Sequence, residues 1–195
     1  WQPEPYAMSG RGEKTRSDIV GSANRLFYEH GFGGTSFTNI VSDSGIYRGN
    51  VYHYFKSKDE ILHAVIARRL DEYRELVAQW ELASTDPRQR LAAFVGMVAS
   101  EGPSLTRLGC PIGSLNTELA KDRRDLQTCA RALFDLFRDW LTVRFTELGR
   151  EPDKSRELAM RLLARAQGIA VLAHVYQDAE FLQREIQDLM EWVKA

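Results

Sequence analysis

Cysteine is scarce in this chain of 195 residues: Cys110 and Cys129 are the two it has. Two thiols cannot build a disulfide framework, and neither CxxC spacing nor a nearby histidine cluster offers structural zinc a ligand set. A reducing, cytoplasmic setting with no metal and no cofactor is expected. Net charge is scarce as well. Lysine and arginine total 26 against 27 aspartates and glutamates, leaving −1, which excludes a chain basic throughout that coats nucleic acid without regard to sequence. Long apolar runs are missing. The longest uncharged one, Ala166 to Gln177, contains His174 and two glutamines and falls short of the roughly 20 residues a membrane-spanning helix needs, so no membrane partner is expected. No convincing period-two strand pattern and no internal repeat occurs, which removes sheet folds and solenoids.

Helical periodicity remains. Residues 1–12 carry Pro3, Pro5, Gly10 and Gly12 without the apolar core of a signal peptide and are expected to be a disordered arm or an expression remnant. From Thr15, the spacing of Ile19, Ala23, Leu26, Phe27 and His30 puts one apolar stripe on a helix that Gly31 ends. Ser36 suits the N-cap of a short helix through Ile40 and Val41, stopping near Ser44 and Gly45. In a second short helix, Arg48 to Phe55, Val51 and Phe55 face inward at i, i+4 while Asn50, Tyr52, His53 and Tyr54 take the other sides. Ser57 and Glu60 form an S-x-x-E capping box opening a long helix toward Trp80. Further helices are expected over Leu91–Ala99, Pro111–Leu119, Leu126–Leu148, Leu158–Tyr176 and Phe181–Trp192. The expected fold is all-α: a three-helix helix-turn-helix domain over 13–60, then a larger helical domain over 61–195.

Two short helices around a glycine turn, the second exposing polar and aromatic side chains, suit a helix-turn-helix whose second helix enters the major groove. An ordinary three-helix bundle with incidental tyrosines fits the same pattern. Charge adds weight to the first. Between Ser9 and Lys58 seven basic residues stand against four acidic ones, a local +3 suited to a phosphate-facing surface. The stretch GFGGTSFTNIVSDSGIYRGNVYHYFKSKDEIL, Gly31 to Leu62, resembles the DNA-binding region of the tetracycline-repressor (TetR) family of bacterial transcriptional regulators, most closely in GIYRGNVYHYFKSKDEIL. The resemblance implies DNA-contacting roles. Arg48 stands at the usual lysine position and has the fork geometry for guanine or a phosphate. Asn50 suits adenine or a phosphate, Gly49 a close approach of backbone to DNA, and Thr38, Tyr52 and His53 the sugar-phosphate backbone. Lys58 would add a cation at the next helix start. Tyr47 departs from the family's small residue; it can stack on a thymine methyl or cover the turn.

For the second domain the resemblance implies a helical bundle that forms a homodimer and encloses a small-molecule effector. Leu126, Ala130, Leu133, Phe137, Trp140 and Leu141 stripe one long helix; Leu158, Leu162, Ala166, Ile169, Ala173 and Tyr176 stripe the other. The resemblance pairs these two helices with their symmetry mates; packing inside one subunit is the alternative. Candidate pocket residues are Trp80, Phe94, Met97, Val98, Leu105, Cys110, Ile112, Phe134, Phe137, Trp140 and Val171, with Asn116, Gln167 and His174 as polar anchors. Gly109-Cys110-Pro111 places Cys110 at a helix N-cap, where the dipole favours a thiolate, and GCPIGSLNTELA is similar to a Gly-Cys segment of one branch of the family. The expected function is a non-enzymatic, ligand-responsive repressor. It would bind palindromic double-stranded operator DNA as a dimer and be released by a small apolar or amphipathic effector. A thiol-based electrophile sensor through Cys110 is one alternative, and a helical enzyme with Cys110 as nucleophile and His174 as base is another.

Overall fold

A computed structural model describes residues 10–195, and eleven α-helices with no strand make up its regular structure. Of the arm expected over residues 1–12, residues 1–9 lie outside the described residues, and helix α1, Gly10–Gly34, already includes the last three. The chain divides into two compact units between Ala67 and Arg68.

The first unit holds α1, α2 (Phe37–Ser44), α3 (Arg48–Tyr54) and the start of α4 (Lys58–Ala83). Helix α1 breaks at Gly31, whose φ of 75° is open to glycine and strained for other residues. Ile19, Ala23, Leu26 and Phe27 enter the core as their spacing predicts, with Ile40, Val51, Phe55, Ile61 and Leu62. His30 does not: its side chain is 60% exposed, because the chain turns away at Gly31 before that face is covered. Ser36 caps α2 in a reciprocal box, its hydroxyl accepting from Asn39 N–H at 3.1 Å while Asn39 Oδ1 accepts from Ser36 N–H at 2.8 Å. At α4 the expected box is half formed. Ser57 Oγ accepts from Glu60 N–H at 3.1 Å, but the Glu60 carboxylate reaches past Ser57 to Lys56 N–H at 2.7 Å.

In the second unit the rest of α4 joins α5 (Pro87–Ser100), α6 (Gly102–Leu108), α7 (Pro111–Asp122), α8 (Arg124–Ala130), α9 (Ala132–Glu147), α10 (Pro152–Tyr176) and α11 (Ala179–Lys194). The sequence reading lacks α6, a seven-residue helix in which Pro103 takes an early position and Gly102 packs against Leu182. It also runs α8 and α9 together, and Asn116 explains the break. This buried amide donates to the Ile112 carbonyl at 3.0 Å and to the Ala130 carbonyl at 3.2 Å. An unbroken helix would give that Ala130 oxygen to Phe134 N–H, which donates instead to Arg131 at 2.9 Å.

The apolar stripes of α9 and α10 turn inward. Leu133, Phe137, Leu141, Leu162, Ala166, Ile169 and Ala173 pack with Leu91, Phe94, Val95, Leu182 and Leu189 into one core. The stripe expected to meet a symmetry mate is thus buried within the subunit, except Leu158, which is half-buried, and Tyr176, which is exposed. A different apolar face of α10 lies open: Met160, Val171, Leu172 and Val175, with Gly168 among them. By length and composition α10 would also suit a bilayer; the burial of Ala159, Leu162, Ala166 and Ala173 accounts for much of that apolar content.

Candidate nucleic-acid interface and ligand cavity

Helix α3 has one buried residue, Val51; Arg48, Gly49, Asn50, Tyr52 and His53 are exposed around it, with Thr38 of α2 exposed as well. Core anchoring on one side leaves α3 a rigid helix with polar and aromatic groups bare on the others, the arrangement a recognition helix needs. Tyr47, the N-cap residue, is 78% exposed and makes no side-chain cap hydrogen bond. Its ring lies along the first turn of α3, where a Cβ on Gly49 would come within 2.9 Å of Tyr47 Cε1. Glycine at 49 therefore makes room for the tyrosine, a local reason beside the approach to DNA that the resemblance implies. The Phe37 and Tyr52 rings stack across the two short helices with centroids 4.6 Å apart. Phe37 escaped the sequence reading, although its place directly after the N-cap Ser36, at the start of the preceding helix, is a local signal for it. Helix α2 is braced against α1 by Arg25, which pairs with Glu29 at 3.0 Å and with Asp43 of α2; the Arg25–Asp43 pairing holds the Asp43 carboxyl below its ordinary range.

Lys58 is placed elsewhere than expected. Its ammonium donates to the carbonyls of Phe32 at 2.7 Å and Thr35 at 2.8 Å and sits 4.1 Å from the centre of the Phe32 ring. Thr35, buried, donates in turn to the carbonyls of Gly31 and Leu26. Lys58 therefore locks the α1–α2 connection instead of presenting its charge to phosphate. Lys58→Met keeps the stem and removes both charge-assisted bonds. It is expected to destabilise the first unit by about 2 kcal/mol, read as a lower urea midpoint in the full-length protein.

In the second unit a cavity of about 150 Å³ opens among α4, α5, α6, α7, α9 and α10. Of the residues expected there, Phe94, Met97, Val98, Leu105, Cys110, Ile112, Phe134, Phe137 and Gln167 line it. The others lie outside it. Asn116 is spent on backbone carbonyls, His174 Nδ1 faces the Thr106 carbonyl at 3.1 Å, Val171 is on the open face of α10, and Trp80 and Trp140 pack against each other with ring centres 5.3 Å apart. Tyr73 and Leu76 of α4, Glu101, Pro111, and Leu163, Ala166 and Ala170 of α10 complete the wall. Burial pushes the Tyr73 phenol up to about 12, so it is a neutral hydroxyl at any physiological pH. Cys110 is the N-cap of α7, with Pro111 at the first helical position, and its Sγ accepts from Gly113 N–H at 3.4 Å and from the Gln167 amide at 3.3 Å. The cavity is thus mostly aromatic and aliphatic, with the Tyr73 phenol, the Gln167 amide, the Cys110 thiol and the Glu101 carboxylate as its polar fittings. No group of three metal-ligating side chains occurs among the described residues.

Comparison with known proteins bears on both units. The family model for bacterial regulatory proteins of the tetR family matches residues 19–65. That for the C-terminal domain of LmrA/YxaF-like transcriptional regulators matches residues 87–187, more than half of the chain. The chain belongs to the TetR family. TetR-family relatives match it nearly end to end: it is 25% identical to the regulator YxaF of Bacillus subtilis over 173 residues, covering 88% of this chain and 90% of that one. It is 29% identical to an HTH-type transcriptional regulator of Mycobacterium tuberculosis over 185 residues, covering 90% and 93%. The fold agrees with the crystal structure of a TetR-family regulator from Agrobacterium tumefaciens, with a TM-score of 0.82 at 23% identity over 94% of this chain and all of that one. This TetR-family member is a DNA-binding transcriptional regulator, and α2 and α3 are the two helices of its helix-turn-helix.

Proposed function

We propose that the protein is a cytoplasmic, ligand-responsive repressor that binds a palindromic operator as a homodimer and is released by a small apolar or amphipathic effector. The observation that carries the reading is the combination, in one chain, of the exposed polar face of α3 and the mostly apolar cavity at Phe94, Phe137 and Tyr73. The open apolar face of α10 supplies a surface for a second copy. Two-fold symmetry then fixes the operator: half-sites about 34–36 Å apart, or a multiple of that, related by a palindrome. An effector that favours the dimer in another spacing releases the DNA by population shift.

The test begins by enriching duplexes from a randomised double-stranded pool with the wild-type protein. The enriched duplex is expected to be palindromic, and Arg48→Ala is expected to weaken its binding by about 1–3 kcal/mol in a salt-controlled titration. A non-palindromic product, or unchanged binding by the variant, would count against the reading.

Cys110 supports a second reading, in which the effector is a thiol-reactive compound. Its sulfur lines the cavity wall at a helix N-cap and accepts two N–H groups. Cys110→Ser is then expected to stay on the DNA at electrophile concentrations that release the wild type. Equal release of both would refute it.

A further inference from the structure

Arg48 is the side chain on α3 best suited to read a base edge, and its usefulness depends on where its guanidinium waits before DNA arrives. A free arginine on a helix surface samples many rotamers, and fixing one of them costs binding free energy that a prepositioned side chain has already met. Two contacts restrict it here. Its Cζ lies over the Tyr52 ring, 5.6 Å from the centroid, and its Nη2 is 3.4 Å from the Tyr52 hydroxyl. Tyr52 is one turn along the same helix, so the pair could exist on an isolated α3. What fixes the tyrosine comes from outside α3: the Phe37 ring stacks on it at 4.6 Å with the two planes 24° apart. Phe37 is in turn held at the first position of α2 by the reciprocal Ser36–Asn39 cap. The order runs from cap to Phe37, from Phe37 to the Tyr52 ring, and from that ring to the Arg48 guanidinium.

We infer that Phe37 is a positioning residue for sequence readout, holding Arg48 over α3 through the ring of Tyr52 and so sharpening base discrimination without itself reading a base. The inference rests on the proposed role of Arg48 at the operator. It separates Phe37 from a plain apolar spacer between α2 and α3, for which any side chain of similar bulk would serve. Stacking needs a ring, and cation–π attraction needs that ring correctly turned.

The probe is the duplex enriched by the wild-type protein from randomised DNA, titrated with full-length variants at fixed salt, alongside a duplex with the base pairs read by Arg48 exchanged. Phe37→Leu, apolar and of comparable bulk, is expected to weaken binding to the enriched duplex three- to tenfold while leaving the exchanged duplex unaffected, and Phe37→Tyr, which keeps the ring, to bind like the wild type. In an Arg48→Ala background Phe37→Leu is expected to add nothing, because the group it positions is gone. In the free wild-type protein the Arg48 side-chain protons should show an upfield ring-current shift by NMR, a measurement that stands even if Phe37→Leu folds poorly. The inference is overturned by random-coil shifts, by full activity of Phe37→Leu, by failure of Phe37→Tyr to restore binding, or by an equal loss in the Arg48→Ala background. If Arg48→Ala alone leaves the enriched duplex bound as tightly as before, the reading of Arg48 falls first and this inference with it.

Discussion

Replacing Gly168 with tryptophan is expected to yield a folded monomer that no longer holds operator DNA at concentrations where the wild type saturates it. Gly168 is an exposed position in the middle of α10, and a Cβ built there meets nothing within 4 Å. Inside one subunit the indole would extend into solvent without disturbing a neighbour. Between two subunits it would not fit. Gly168 lies among Met160, Val171, Leu172 and Val175 on the open apolar face, and helices packed across such a face approach to roughly 8–10 Å. Losing the second half-site removes the avidity of a two-site contact, a factor of about 10²–10⁴. Light scattering on a sizing column and a far-UV melt check the two halves of the expectation. Gly168→Ala is the control: it replaces a mid-helix glycine at no steric cost and should raise subunit stability by about 0.5–1 kcal/mol. A dimeric Gly168→Trp protein would exclude this face as the interface.

The second large effect is expected at Arg144. Its side chain is 7% exposed, and its guanidinium gathers three partner side chains, Glu81, Glu147 and Trp140. Nη1 donates to Glu81 Oε1 at 2.6 Å and Nη2 to Glu147 Oε1 at 3.1 Å. Nε stands 2.9 Å from the other Glu147 oxygen without the alignment of a hydrogen bond, and Cζ lies 5.1 Å from the centre of the Trp140 ring. Trp140 Nε1 donates to the same Glu81 oxygen at 3.0 Å. Arg144→Ala strips these contacts and the packing of the arginine stem, at an expected cost of about 3 kcal/mol. That is near the low end for a broken buried pair, since both carboxylates retain some water; a shift in the urea midpoint measures it. The cluster also responds to acid. The Arg144 hydrogen bond, then that of Trp140, holds the Glu81 carboxyl below its ordinary range. A carboxyl depressed in the folded state stabilises fully above its unfolded pKa, about 4.3, and loses that contribution as pH falls through the folded value. Asp43, Asp125 and Glu157 are held low as well. The site therefore shows in the difference between wild type and variant, which should shrink as pH drops below about 4.5.

The first unit was legible because its determinants are local. Ser36, Gly31, Gly45 and the Val51–Phe55 pair act over one or two helical turns, and the structure places each where its spacing predicts. Its largest misreading is long-range. Lys58 answers carbonyls 23 and 26 residues away, and no spacing rule announces that a basic residue after a capping serine closes a distant loop instead of meeting phosphate. In the second unit the same limit cuts deeper. Helix α10 is apolar on two faces, so periodicity reports both and cannot say which one its own subunit covers. Asn116 looked like a ligand anchor because a buried amide in an apolar helix needs partners, and it found them in the Ile112 and Ala130 carbonyls. Trp140 and Trp80 looked like pocket walls, but Glu81, 59 residues before Trp140, draws that indole N–H toward the cluster with Arg144.

The dimensions of the cavity set a dose. A volume of about 150 Å³ matches that of cavities that accept a benzene-sized guest, about six non-hydrogen atoms. Even the best small ligands gain no more than about 1.5 kcal/mol per such atom. A guest confined to this space therefore binds with at most about 9 kcal/mol, a Kd no tighter than roughly 0.3 μM. With the walls as they stand, the protein would register such a guest at sub-micromolar abundance or above and stay indifferent to traces.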